Sequence, residues 1–250
     1  MIKKLHNYMN IKSTGLNLAL SVAICASANA QSGLTTYPAY KTVVAGPEYD
    51  RSAFHNWLWG KHYRKEWTTP VSIHEMLLDT VAGGLTPYKA GGSRQSKTLR
   101  LHNPQQQEFV LRSVDKDFGN ALPPSYRNTF VEDIINDQVS TAHPYSAVTV
   151  SPMADAADIY HTSPQLVYVP KQPNLDSFNQ KYGDKLYILE QRPDEDWTDE
   201  DNFANSDKII STYNLFNKMR NDADNRVDQQ AFIKARLFDM LIGDWGRHED

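Results

Sequence analysis

Asp228-Gln229-Gln230-Ala231-Phe232-Ile233-Lys234-Ala235-Arg236-Leu237-Phe238-Asp239-Met240-Leu241-Ile242-Gly243-Asp244-Trp245-Gly246-Arg247-His248-Glu249-Asp250 is the stretch on which the reading of this chain turns. Phe232, Ile233, Leu237, Met240 and Leu241 recur at spacings of one, three and four, which places them on one stripe of a helix. Asp228 has the chemistry of an N-cap and Gly243 that of a helix terminator. Charged residues and Trp245 crowd the segment that follows. An apolar helix delivering a charged loop is a common way to mount reactive groups on a rigid support.

The segment Leu241-Ile242-Gly243-Asp244-Trp245-Gly246-Arg247-His248 resembles the catalytic loop of the atypical protein-kinase-like enzymes: HipA-like kinases, phosphoinositide kinases and secretory-pathway casein kinases. Their loop reads roughly Leu-Ile-Gly-Asn-x-Asp-Arg-His-x-x-Asn. In that family the Asp before Arg-His orients or deprotonates the attacking hydroxyl, and the later Asn binds a metal bridging the nucleotide phosphates. The resemblance puts Arg247 and His248 at motif positions. Gly246 stands where the catalytic Asp belongs, and no sequence follows Asp250 to supply the Asn or a later metal-binding Asp. The chain is therefore expected to be incomplete as a kinase and impaired in catalysis.

The same resemblance extends upstream. Gly91-Gly92-Ser93-Arg94-Gln95-Ser96-Lys97 is similar to the glycine-rich loop that covers nucleotide phosphates in the HipA-like enzymes. Adjacent glycines let backbone N–H groups approach phosphate oxygens, and Ser93, Arg94 and Ser96 add donors. The loop leads into Lys97–His102, which alternates. Asn103-Pro104 turns, and Glu108–Val114 alternates again, as a hairpin should. The basic residue expected to meet the phosphates is Arg112, in phase with Val110 and Val114, or Lys116 just beyond. A helix is predicted from Ser125 to His143 after Pro123-Pro124, with Glu132 or Asp137 as the acid that would pair with that base. Leu186–Leu189 reads as a strand running into Glu190-Gln191-Arg192-Pro193. That segment resembles the lobe-connecting hinge, whose backbone at Glu190 would meet an adenine edge.

Four segments follow from this reading. Residues 1–30 form a secretory signal: Lys3, Lys4 and Lys12 precede an apolar run and the small-x-small site Ala28-Asn29-Ala30. Residues 31–70 form an aromatic-rich extension, residues 71–193 a kinase-like small lobe, and residues 194–250 the start of a large lobe. The fold class is α+β, an antiparallel sheet with a helix followed by the first large-lobe helices. Shorter elements are expected at Val71–Leu78, His55–Gly60, Ala154–Ile159, Gln165–Pro170 and Lys208–Asn221. Phe109, Leu111, Ile134 and Val139 are expected in the small-lobe core.

Composition narrows the partners. Without the signal the chain carries 23 basic residues against 30 acidic, which argues against a general nucleic-acid binder. The single cysteine, Cys25, lies inside the signal, so the exported chain has none to pair. No later apolar run is long enough to span a membrane. The resemblance implies ATP with Mg²⁺ or Mn²⁺ as the cofactor and nucleotide as the partner, and the signal leads to the expectation of an exported chain, periplasmic or outer-membrane-associated. Tyr63–Pro70, Leu111–Asp117 and Gly243–Asp250 also resemble segments of large Gram-negative envelope proteins, where the chain would be a non-catalytic accessory module. A third reading is a metal-dependent hydrolase using Asp239, Asp244, His248, Glu249 and Asp250; these crowd a single loop, whereas most metal sites need ligands from a second segment.

Overall fold

The computed structural model describes residues 39–92, 95–194, 196–244 and 246. The expected signal, 1–30, lies outside them. Two antiparallel sheets form. The smaller pairs β1 (Tyr40–Val43) with β2 (Val71–His74). The larger contains β3 (Thr86–Gly91), β4 (Thr98–His102), β5 (Glu108–Ser113), β6 (Gln165–Val169) and β7 (Lys185–Gln191), in the order β3-β4-β5-β7-β6. The chain runs up and down through β3, β4 and β5 and leaves through helices. It returns as the β6–β7 hairpin, with β7 beside β5. The α+β expectation holds at this level: a mixed protein with antiparallel sheets and several helices.

Period-two alternation builds the core. Leu99, Leu101, Leu111, Val167, Val169, Tyr187 and Leu189 point to one face of the large sheet and pack with Met76, Leu78, Leu85, Leu175 and Tyr182. Each such buried side chain contributes about 1.5–3 kcal/mol of transfer free energy. The other face puts Ile188 with Tyr49, Trp67, Val114 and Val139. The β4–β5 register pairs Leu99 with Leu111 and Leu101 with Phe109, the hairpin predicted from sequence. Gln172 ties the first core together: its Oε1 accepts from the Leu78 N–H at 2.8 Å and its Nε2 donates to the Met76 carbonyl at 3.1 Å.

Several boundaries differ from expectation. The predicted element Val71–Leu78 divides into β2 and a 3₁₀ turn at Leu78–Thr80. The helix predicted over Ser125–His143 is α3, Phe130–Asp137, followed by a 3₁₀ turn at Gln138–Thr141; α1 (Ala53–Trp59) and α2 (Arg64–Thr68) precede it. Asn128 takes a left-handed φ of 56° and Thr129 caps the helix, so α3 cannot start earlier, and the chain upstream makes a separate 3₁₀ turn at Pro124–Tyr126. Ile134 is correspondingly half-buried, whereas Leu111 and Val139 are buried and Phe109 packs at the edge of the core. The predicted helix Ala154–Ile159 belongs to α4, Ser146–Ala156, which runs through Pro152. α5 spans Asn179–Tyr182, and α6 starts at Thr212 rather than Lys208 and ends at Asn221.

The aromatic extension divides in two. Tyr49 and Trp67 are buried, and Trp67 Nε1 donates to the Ala142 carbonyl at 2.8 Å. Phe54 and Trp57 are exposed. α1 ends at Gly60, φ 94°, as the sequence predicts.

α7 (Gln229–Ile242) has the caps read from sequence. Asp228 accepts from the Gln230 and Ala231 N–H groups, each at 3.0 Å, and Gly243 closes the helix in the left-handed region. Its apolar stripe is not buried. Phe232, Ile233, Leu237, Met240 and Leu241 are all exposed, while Phe238 and Asp239 turn inward. Among the described residues, no helix is long and apolar enough to cross a membrane.

Candidate functional site

The glycine-rich turn joins β3 to β4. Gly92 has φ 77°, and a Cβ there would fall 1.8 Å from the Ser96 carbonyl oxygen, so only glycine closes this hairpin. The returning arm is held down on the end of β5. Lys97 N–H donates to Ser113 Oγ at 3.0 Å, Ser113 N–H to the Lys97 carbonyl at 2.9 Å, and Asp117 N–H to the Gln95 carbonyl at 2.9 Å. Ser93 and Arg94 lie outside the described residues.

Under this arm is a cleft of about 190 Å³ lined by Ser96, Arg112, Lys116, His143 and Glu190. Arg112 and Glu190 stand on neighbouring strands, offset by two residues in register and so on the same face, and Arg112 Nε lies 3.0 Å from Glu190 Oε2. Both bases that the sequence left open, Arg112 and Lys116, face the same space. Lys97 does not. It shares a face with Leu99 rather than with Thr98, the register partner of Arg112, and it lines a separate cleft with Glu48, Asp115 and Lys185. Burial, together with the charge of Lys97, pushes the Lys185 amine below its ordinary value.

Neither of the two candidate acids of α3, Glu132 and Asp137, serves Arg112 or Lys116. Glu132 accepts from the Asn128 N–H, at the start of its own helix. Asp137 is taken by Arg64, Arg51 and His55. The acid that meets the strand arginine is Glu190 of β7. Sequence reasoning placed Glu190 in the site by its backbone and missed its side-chain role. Alternation along β7 puts Glu190 on one face with Ile188, but only the β5–β7 register brings that face to Arg112, and no sequence signal gives that register.

A larger cleft of about 780 Å³ continues from the first and shares Ser146, Ala147 and Glu190 with it. Its walls are Val150, Pro193, Phe203, Ile209 and Ile242, and it reaches Gly243 and Asp244. The segment after β7 is anchored beside it. Arg192 N–H donates to the Glu108 carbonyl at 2.8 Å, and the Arg192 side chain pairs with the Glu108 carboxylate. Burial opposes ionisation of Glu108, but hydrogen bonds from Tyr88 and Arg192 hold its carboxyl below the usual range. Trp197, fully buried and edge-on to Phe109 and Phe203, fixes the acidic segment that follows.

At the far end Asp244 Oδ1 accepts from the Gly246 N–H at 2.8 Å. Among the described residues, a Cβ on Gly246 would meet Asp244 Oδ1, at 3.1 Å. The motif residues Arg247 and His248 lie outside the described residues, as do Glu249 and Asp250. Asp239 is buried against Arg236, 2.5 Å away, which removes it from the ligand set of a metal-dependent hydrolase. Among the described residues, no group of three or more His, Cys, Asp and Glu is placed to hold a metal ion.

The larger cleft also brings Ser151 and His161 together, with Asp155 behind. This is not a nucleophilic triad. His161 Nδ1, 3.3 Å from Ser151 Oγ, lies 2.6 Å from the Thr162 carbonyl oxygen. A nitrogen facing a carbonyl at that distance must carry the proton, so it cannot accept one from Ser151.

The site is thus a two-part groove: a polar, cationic end under the glycine turn, and a more apolar end reaching the loop after α7. Its size suits a small organic ligand with an anionic tail. No protein-family model, curated protein or solved structure matches this chain.

Proposed function

We propose that this chain is an exported, kinase-like nucleotide-binding domain with impaired phosphoryl transfer. The observation that carries the reading is the convergence of Ser96, Arg112, Lys116 and Glu190 on one cleft, open to a second that ends at Gly243 and Asp244. Arg112 and Lys116 supply positive charge where phosphates would lie, and the larger cleft offers apolar walls for a base beside the segment after β7. The order of parts supports the resemblance: a glycine-turn hairpin, a basic residue on the next strand, helices, a hairpin leading to a hinge-like segment, and a helix delivering the Arg-His motif. The residues fit a nucleotide better than they fit its metal. Glu190 is committed to Arg112, and Asp244 to its own loop.

The test is calorimetric titration of the 250-residue chain with ADP. Arg112→Gln with Lys116→Gln is expected to weaken binding about tenfold or more, because hydrogen bonds to charged groups contribute about 1.5–3 kcal/mol. Absence of ADP binding by the unmodified chain would sink the reading.

A second reading, a non-catalytic accessory module of a larger envelope assembly, draws on the exposed row Phe232, Ile233, Leu237, Met240 and Leu241, an apolar face of the kind found at protein contacts.

A further inference from the structure

Glu190 has an unusual place in the groove. It lines both clefts, and its carboxylate sits on the guanidinium best placed to meet phosphate. The placement is built by the sheet. Glu190 pairs with Val110 and Arg112 with Ile188, so the two side chains lie diagonally across β5 and β7 on one face. A phosphate entering under the glycine turn would meet Arg112 already paired and a second negative charge beside it. Like charges at this range repel, and the guanidinium must be shared or released.

We infer that Glu190 is a built-in competitor for phosphate, holding Arg112 until a ligand displaces it and biasing the groove against polyphosphate tails. This rests on the nucleotide reading above. The pair is partly exposed, with Arg112 51% and Glu190 20% accessible, so solvent screens it and the competition is modest.

Glu190→Gln separates positioning from charge. Glutamine keeps an oxygen that accepts from Arg112 Nε and removes the negative charge. Titrations of the 250-residue chain with ADP and with adenosine give the readout. Glu190→Gln is expected to bind ADP on the order of fivefold tighter, the size of one screened charge term, with adenosine unchanged. The gain should disappear when Arg112→Gln is added. Thermal melting of each variant shows that the fold is kept. If the unmodified chain binds ADP and Glu190→Gln binds it no better, the competition is absent and only this inference fails. An equal gain for adenosine would also overturn it, since the effect would not then lie on the phosphates. If neither protein binds ADP, the nucleotide reading fails and takes this inference with it.

Discussion

The guanidinium of Arg64 meets the carboxylate of Asp137 at two points, Nη1 to Oδ1 at 2.9 Å and Nη2 to Oδ2 at 2.6 Å, with both side chains buried. His55 Nε2 lies 3.0 Å from Oδ2, and Arg51 Nε lies 3.2 Å from Oδ1. This cluster ties the aromatic extension to α3. Asp137→Ala would leave Arg64 buried and unpaired, and is expected to cost about 3–5 kcal/mol. Replacing Arg64 by Met in the same chain should recover part of that loss. Urea unfolding of the single and double variants checks this. A single variant as stable as the parent would mean the contact is not formed.

The same carboxylate gives a pH dependence. Burial raises the Asp137 pKa, but hydrogen bonds and charge from Arg64 and His55 outweigh it and hold the carboxyl well below the usual carboxylate range. A carboxyl depressed in the folded state stabilises the fold above its unfolded value, about 3.9 for Asp, and loses that contribution as pH falls toward the folded value. Stability is therefore expected to fall below about pH 4, and less steeply in Asp137→Asn. Denaturant titrations from pH 6 to pH 2 measure it; parallel curves for parent and variant would overturn the assignment.

Leu111 is fully buried between Leu99 and Leu189, its register partners. Leu111→Asp places a carboxylate among apolar side chains and should cost several kcal/mol, about 2–5 kcal/mol being typical of Leu→Ala alone. An unchanged melting temperature would place Leu111 outside the core.

The strands that were legible from sequence are those that alternate cleanly. Leu99 and Leu101, then Phe109 and Leu111, announce β4 and β5. The first arm of the glycine hairpin, β3, gave no such pattern. It is an edge strand, mostly exposed, that carries Pro87 and a register shift before Lys89. The helix α3 was overextended because Pro123-Pro124 reads as a helix start, whereas the chain turns through Asn128 first. Arg64 and Asp137 are 73 positions apart, and Arg112 and Glu190 are 78 apart. Pairings of that separation are set by packing and register, which one-dimensional patterning does not encode. The charge pattern could nominate Arg112 as a site residue without revealing its partner.

The stripe of α7 was legible as a helix but not as an exposed face. Phe232, Ile233, Leu237, Met240 and Leu241 contribute little to the stability of the described fold, since each keeps more than half of its surface exposed. Leu237→Lys with Leu241→Lys is expected to leave the melting temperature within about 2 °C, a shift corresponding to roughly 0.5 kcal/mol or less. The same change should reduce binding of an apolar dye. A large loss of stability would show that this face is covered.

The last prediction concerns chemistry at Gly246. The unmodified 250-residue chain is expected to show no measurable ATP turnover with Mg²⁺ or Mn²⁺. Phosphoryl transfer depends almost entirely on positioning and on neutralising charge as it develops. Gly246 supplies no side chain, and the neighbouring Asp244 carboxylate accepts from the Gly246 N–H, which turns it toward its own loop. Among the described residues, a Cβ at Gly246→Asp would meet Asp244 Oδ1, at 3.1 Å, the flexible end of a side chain. The introduced carboxylate would orient a hydroxyl but would also stand beside Asp244, and like charges so close resist joint ionisation. Among the described residues no cluster of ligands is placed to bring a metal to the phosphates, so Gly246→Asp alone is not expected to restore turnover. Release of labelled phosphate over several hours, against a protein-free blank, measures both forms. Robust turnover by the unmodified chain would show that a carboxylate at position 246 is not needed. Turnover appearing only with Gly246→Asp would show that position 246 alone had silenced it and that a metal is recruited without such a cluster.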